Sequence, residues 1–219
     1  MKDKSLMKPL LGCLVAIVVA VLLVVVIGGI AGIGGYNQLV RLSQGVDAQW
    51  AQVQNVYQRR ADLVPNLVNT VAGAANFEKS TLTDITNARA SVGKVQINPN
   101  SAPTDPEKLR QFEAAQSGLS GALSRLLVVS EKYPDLKANA NFQALQAQLE
   151  GTENRIAVER GRFNESVLGY NSVVRQFPMV FIAPILGFTA KPYFAASAGS
   201  EVPPKVQFDF AAPAASPAK

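Results

Sequence analysis

Glu150 and Glu153 stand three residues apart in a helix-patterned stretch, which puts both carboxylates on one helical face. Acids so placed could divide general acid and base duties, or hold a hard cation through carboxylate oxygens alone. On an amphipathic helix such a pair is more often a solvated edge, and little else in the chain could join it. Histidine is absent, and the single cysteine, Cys13, lies inside an apolar run. That excludes histidine-activated nucleophiles and zinc held by imidazole or thiolate. No Gly-x-x-x-x-Gly-Lys-[Ser/Thr] loop occurs, and the glycines of residues 28–35 belong to the apolar run. The expectation is a protein that is not an enzyme, with no catalytic residues, no cofactor and no metal.

Other polar residues interrupt apolar seams. Arg59, Arg60 and Asp62 lie midway along one helical pattern, and Glu153, Asn154 and Arg155 lie midway along another. Antiparallel packing of the two would bring these patches to comparable heights. They then form either an interhelical salt-bridge layer (Arg155 with Asp62, or Glu153 with Arg60) or a partner-binding surface. If the layer is buried, Arg155→Ala should lower the melting midpoint, because a partner charge would be stranded. An echo also runs through the chain: Tyr36-Asn37-x-x-Val40-Arg41 recurs as Tyr170-Asn171-x-x-Val174-Arg175, with Phe163-Asn164 one heptad earlier. Either aromatic-Asn pairs simply suit a helical seam, or Asn37 and Asn171 pair at the membrane-proximal end and set the register.

The elements that must position these residues start with residues 10–35, an apolar run with no charge between Lys8 and Arg41. About 20 apolar residues suffice to span a bilayer as a helix. The run is longer than a signal-peptide core and lacks a clear cleavage site, although processing near Gly35 is a weaker alternative. Gly28-x-x-x-Gly32 would let two such anchors pack closely, giving a possible homo-oligomer. Lys2, Lys4 and Lys8 precede the run and only Arg41 closely follows it, so the tail (residues 1–9) is expected in the cytoplasm and the domain outside it. The net charge is +5, and beyond the run the balance is nearly even, without a basic cluster; nucleic acid is not an expected partner.

Residues 36–177 read as helices throughout. Tyr36, Leu39, Ser43, Val46, Trp50, Val53, Tyr57, Arg60, Val64, Leu67, Val71 and Ala74 follow steps of three and four. Phe142, Leu149, Ile156, Phe163, Tyr170 and Phe177 recur every seven residues. Between these seams, Leu82, Ile85, Val92 and Val95 mark a short helix. Asp105 reads as the N-cap of another, with Pro106 in its first turn. Pro65 should kink the first helix or begin a new segment. Short connections imply an all-α fold: a single transmembrane helix followed by an elongated antiparallel (up-down) four-helix bundle. Residues 178–210 open with an apolar stretch too short for a second span; it should cap the bundle base or rest in the membrane interface. Residues 211–219, rich in Ala, Pro and Ser, read as a disordered tail.

Several motifs resemble the LemA family. They are Leu136-Lys137-Ala138-Asn139, the stretch Leu145-Gln146-Ala147-Gln148-Leu149-Glu150-Gly151-Thr152-Glu153-Asn154-Arg155-Ile156, Phe163-Asn164, Tyr170-Asn171, Phe177-Pro178, Gly187-Phe188 and Pro204-Lys205-Val206. Tyr36-Asn37-x-Leu39-Val40 and Arg59-Arg60-x-Asp62-Leu63-Val64-Pro65-Asn66-Leu67 extend the likeness toward the N-terminus. Phe163 stands where the family usually has Tyr, and Phe77-Glu78 where His-Glu is frequent. The resemblance implies a bacterial membrane protein with a helical bundle. Links of relatives to envelope proteases and, in magnetic bacteria, to organelle membrane formation suggest an accessory or scaffold role.

Two functions follow from these readings. The first is a non-enzymatic scaffold or interaction module of the bacterial cytoplasmic membrane, partnered by the membrane and a membrane protein such as an envelope protease. The second is an envelope sensor or ligand-binding domain that passes a signal through its anchor.

Overall fold

The computed structural model describes residues 4–195 apart from 74–76, 96 and 99; among residues 4–31 it describes the side chains of Ile17, Val18, Val19, Ala20, Leu22, Leu23 and Gly29 only. Every regular element among the described residues is a helix: α1 (Lys4–Ala72), α2 (Lys79–Lys94), α3 (Pro106–Ser130), α4 (Pro134–Lys137), α5 (Ala140–Arg175) and α6 (Met179–Ile182). No helix among the described residues is long and apolar enough to cross a membrane, so the expected transmembrane helix does not appear among them. Cys13, the Gly28 face and most side chains of residues 10–35 lie outside the described residues, as do residues 196–210 of the expected capping segment and the 211–219 tail.

The helix ends follow from local chemistry. Asp105 caps α3 by accepting from the Glu107 N–H at 2.8 Å, and Pro106 occupies the first turn, where a missing N–H costs nothing. Asn139 caps α5 by accepting from the backbone N–H groups of Asn141 and Phe142. Against expectation, no new segment begins at Pro65; α1 runs through it to Ala72. A proline there withholds the N–H that would donate to the Ala61 carbonyl. The Arg89 Nε–H donates to that carbonyl instead, at 3.0 Å, so the gap in the ladder is filled from α2.

Contacts between helices fix their directions. Along α1, Gln49 meets Glu159 and Arg60 meets Glu153, so α5 runs antiparallel to it. Trp50 and Tyr57 pack on Phe112 while Arg60 reaches Gln116 and Ser120, so α3 rises with α1. The core forms two buried clusters. One gathers Leu39, Val46, Trp50, Val53, Tyr57, Phe112, Ile156, Phe163, Val167 and Tyr170. The other gathers Val64, Leu67, Val71, Ile85, Leu119, Leu126, Phe142 and Leu149. The seam positions Tyr36 and Phe177 are exposed instead, since both lie at the end of the bundle.

Beyond α5 the chain does more than cap. Met179 and Ala183 are buried beside α1. A Cβ on Gly35 would stand 2.5 Å from the Met179 Cε, so α6 approaches α1 closely at that glycine. The chain then reverses at Gly187, whose φ of 82° lies in the left-handed region that suits glycine, and returns along the bundle to Ala195.

Asp105→Ala should lower the unfolding free energy by about 1 kcal/mol, read as a reduced urea midpoint with an unchanged slope.

Candidate functional site

Arg60 sits between the two core clusters with 1% of its surface exposed. Helical spacing brings it there because it occupies the α1 seam between Tyr57 and Val64, where an apolar residue would otherwise stand. Its Nη1 donates to Glu153 Oε1 at 2.5 Å and to Ser120 Oγ at 2.6 Å. Its Nη2 donates to the Gln116 side-chain oxygen and, at 3.2 Å, to the Gln116 carbonyl. The Tyr57 ring lies 5.2 Å from the guanidinium carbon. The Nε is buried without a hydrogen-bond partner among the described residues. Helices α1, α3 and α5 thus each contribute to one polar layer, but its carboxylate is 47% exposed. A buried cation paired to a half-exposed anion is held by geometry as much as by charge.

The remaining patch residues do not join this layer. Arg59, Asp62, Asn154 and Arg155 are exposed, and Asp62 accepts from Gln58 on its own helix at 2.7 Å. An Arg155–Asp62 bridge is therefore absent, because both side chains point to solvent instead of across the seam. Nor do Glu150 and Glu153 act as a pair: Glu150 accepts from Gln146 at 3.1 Å while Glu153 is committed to Arg60. Gln116 and Ser120 escaped sequence reading. A gap in the apolar spacing of α3, between Phe112 and Leu119, is the signal that could have found Gln116.

A second polar set binds the returning chain. Asn171 Nδ2 donates to the Lys191 carbonyl at 2.8 Å, and its Oδ1 accepts from the Lys191 N–H at 2.9 Å. Asn164 grips Phe194 in the same two-bond manner, at 3.1 and 2.8 Å. The Tyr170 hydroxyl donates to the Thr189 carbonyl and Arg160 Nη2 to the Ala195 carbonyl, so residues 189–195 form a strap antiparallel to α5. One helical heptad rises about 10 Å, the same as three extended residues, which is why asparagines seven apart can hold strap residues three apart. The expected Asn37–Asn171 pair is overturned. Asn37 is exposed, and Asn171 is buried with both ends of its amide on the strap.

The strap also carries charge and rings into the core. Lys191 is buried, and its Nζ meets Asp47 Oδ1 at 2.8 Å; the same oxygen accepts from the Ala102 N–H. Phe194 stacks on Trp50 at 6.1 Å and meets Phe163 edge-on at 5.2 Å, with the Arg160 guanidinium 4.7 Å from its ring centroid. Arg160 also bridges Glu113 at 2.8 Å. Burial pushes the Glu113 carboxyl up against the opposing pull of Arg160, and burial likewise raises the Tyr57 and Tyr170 phenols.

Glu153→Ala strands the buried Arg60 charge and should cost about 3–5 kcal/mol of unfolding free energy. Arg60→Met should cost less, about 1–3 kcal/mol, because only the Gln116 side chain loses a buried partner while Glu153 returns to water. Arg155→Ala should leave the melting midpoint unchanged. Urea titrations of the three variants check that order. Asn171→Ala should cost about 1–3 kcal/mol and speed proteolytic cutting within residues 189–195 before any cut in α5, as followed by mass spectrometry.

These features can be compared with known proteins. A model of the LemA family matches residues 49–208. The magnetosome protein MamQ of Magnetospirillum gryphiswaldense is 26% identical over 184 residues, covering 77% of this chain and 67% of that protein. Magnetosome protein MamQ 2 of Paramagnetospirillum magneticum is 24% identical over 183 residues, with the same coverage of both. Protein LemA of Metamycoplasma hominis is 24% identical over 145 residues, covering 66% of this chain and 62% of that protein. Because the family match runs from the α1 seam through the Arg60 layer to the asparagine-held strap, this chain belongs to the LemA family.

Proposed function

We propose that this chain is a membrane-anchored, non-enzymatic interaction protein: an antiparallel four-helix bundle, accessory to a membrane assembly of the bacterial cell envelope. The observation that carries this reading is the continuity of α1. A single helix of 69 residues, about 100 Å long, joins the apolar run of residues 10–35 to the core of the bundle. Any partner held by the outer faces of α1 and α5 is then held at a set height and angle to the anchor. The internal commitments of Arg60, Glu153, Lys191, Asp47, Arg160 and Glu113 favour a rigid support over a reaction centre. The magnetosome proteins among the relatives suit a role in organising a membrane. Flanking charge favours a cytoplasmic N-terminus and an extracytoplasmic bundle. A membrane protein is the partner class this architecture fits, an envelope protease included.

Exposed Arg59, Asn154 and Arg155 offer positions for photo-crosslinking side chains in cells. The expected result is recurrent capture of one different membrane protein, identified by mass spectrometry. Capture of the chain itself alone would replace the adaptor reading with a homo-oligomeric scaffold. No capture from any position, alongside thermal stabilisation by a small molecule, would favour the sensor reading and sink both.

A further inference from the structure

The bundle end formed by residues 177–188 carries apolar side chains that nothing among the described residues covers. Phe177 is 83% exposed, Phe181 69% and Ile185 85%, with Val180 and Leu186 also open. Phe177 and Phe181 meet edge to face at 6.4 Å, so the patch is contiguous rather than scattered. Its inner side is anchored: Met179 and Ala183 are buried, and the Phe188 N–H donates to the Ala183 carbonyl, closing the turn. This is a firm loop presenting large apolar groups outward, which in a soluble setting is a standing cost.

Its position says what covers it. Met179 lies against Gly35 and Phe188 packs edge-on to Tyr36, at 5.7 Å, so the loop sits beside the point where α1 leaves the apolar run of residues 10–35. Ile33, one turn earlier on α1, is 67% exposed. The charge at this end is one-sided. Arg41 and Arg175 are exposed, while the sequence has no aspartate or glutamate from residue 4 to 46 or from 166 to 200. Rings and aliphatic groups beside a membrane-entering helix, flanked by arginines and without carboxylates in the adjoining described stretches, match an interface rich in anionic headgroups.

We infer that the loop of residues 177–188 is a second, non-spanning membrane contact, with Phe177, Phe181 and Ile185 seated in the headgroup region of a bilayer containing anionic phospholipid. The inference rests on the anchor reading, since the loop reaches lipid only if residues 10–35 are in the membrane. Two contacts on one bilayer, a spanning helix and a wedge beside it, fix the tilt of the bundle where one helix alone would let it swing.

The test uses the full chain carrying Cys13→Ser, with single cysteines introduced by Phe181→Cys, Ile185→Cys, Ile17→Cys or Val128→Cys and labelled with an environment-sensitive fluorophore. All four positions are exposed in the structure, and Val128 lies at the opposite end of the bundle. Each protein is reconstituted in vesicles of phosphatidylethanolamine and phosphatidylglycerol, with nitroxide quenchers placed either near the headgroup or deep in the acyl chain. The expected result is loss of emission at 181 and 185 with the shallow quencher, at a depth of roughly 5–10 Å, loss at 17 with the deep one, and no loss at 128. Quenching at 17 but at neither 181 nor 185 overturns the inference and leaves the anchor standing. Blue-shifted but unquenched emission at 181 and 185 also overturns it, and assigns the patch to a second copy of the chain. Absence of quenching at all four positions removes the anchor reading and the inference with it.

Discussion

Arg60 constrains the bundle more than any apolar contact does. Heptad seams of leucine, valine and phenylalanine tolerate slippage, because one apolar knob is much like the next. A guanidinium buried among three helices does not. It needs Glu153 from α5 and Gln116 and Ser120 from α3 at the same height, and a slip by one helical turn of about 5.4 Å would leave the cation in a dry seam. The layer therefore works as a register pin. It divides the apolar core into two clusters, one on either side of the guanidinium. The hydrogen bond from Arg89 to the Ala61 carbonyl sits next to the pin and keeps α1 helical through Pro65 just beyond it.

The second constraint is the strap, which belongs to the core rather than to the surface. Trp50 is enclosed by Phe112 of α3, Phe163 of α5 and Phe194 of the strap, so one ring in the box arrives only after the chain has reversed beyond α6. Two asparagines with free amides on the α5 face would be a liability under that strap, and they become its fasteners by treating a backbone residue as a strand would. Lys191 adds a buried cation whose partner, Asp47, also holds the loop that leads into α3. In this way the half of the bundle that holds Trp50 is closed by four separate parts of the chain. The far half is built on the second apolar cluster, with Lys137 bridging Glu131 and Gln143 Nε2 donating to the Lys137 carbonyl at its end.

Such an architecture suits transmission of position. A helix that runs unbroken from residues 10–35 into a pinned bundle, with a strap locking its near half, has few places to flex. The apolar loop beside Gly35 then lies at the junction between the two regimes, where a small change in tilt would move the far end most.

Much of this was legible in the residues, and the reason is periodic. The Phe142-to-Tyr170 column and the Leu39-to-Val71 seam announce helices by spacing, Asp105-Pro106 announces a start by capping chemistry, and Arg60 with Glu153 could be matched by height once the helices were taken as antiparallel. What spacing could not say is which polar group faces which. Asp62 and Arg155 are as well placed in sequence as Arg60 and Glu153, yet they point to solvent, since one residue along a helix turns a side chain by about 100°. The strap was out of reach altogether. Residues 189–195 have no period of their own, and their order comes from asparagines some twenty to thirty positions earlier. The sequence by itself determined the long helices, the Asp105 cap and the basic flank of the N-terminal run, because those depend on neighbours along the chain. Tertiary structure alone decided the partners of Arg60, Asn171 and Lys191, because a buried polar group is settled by whatever the fold brings within hydrogen-bonding distance.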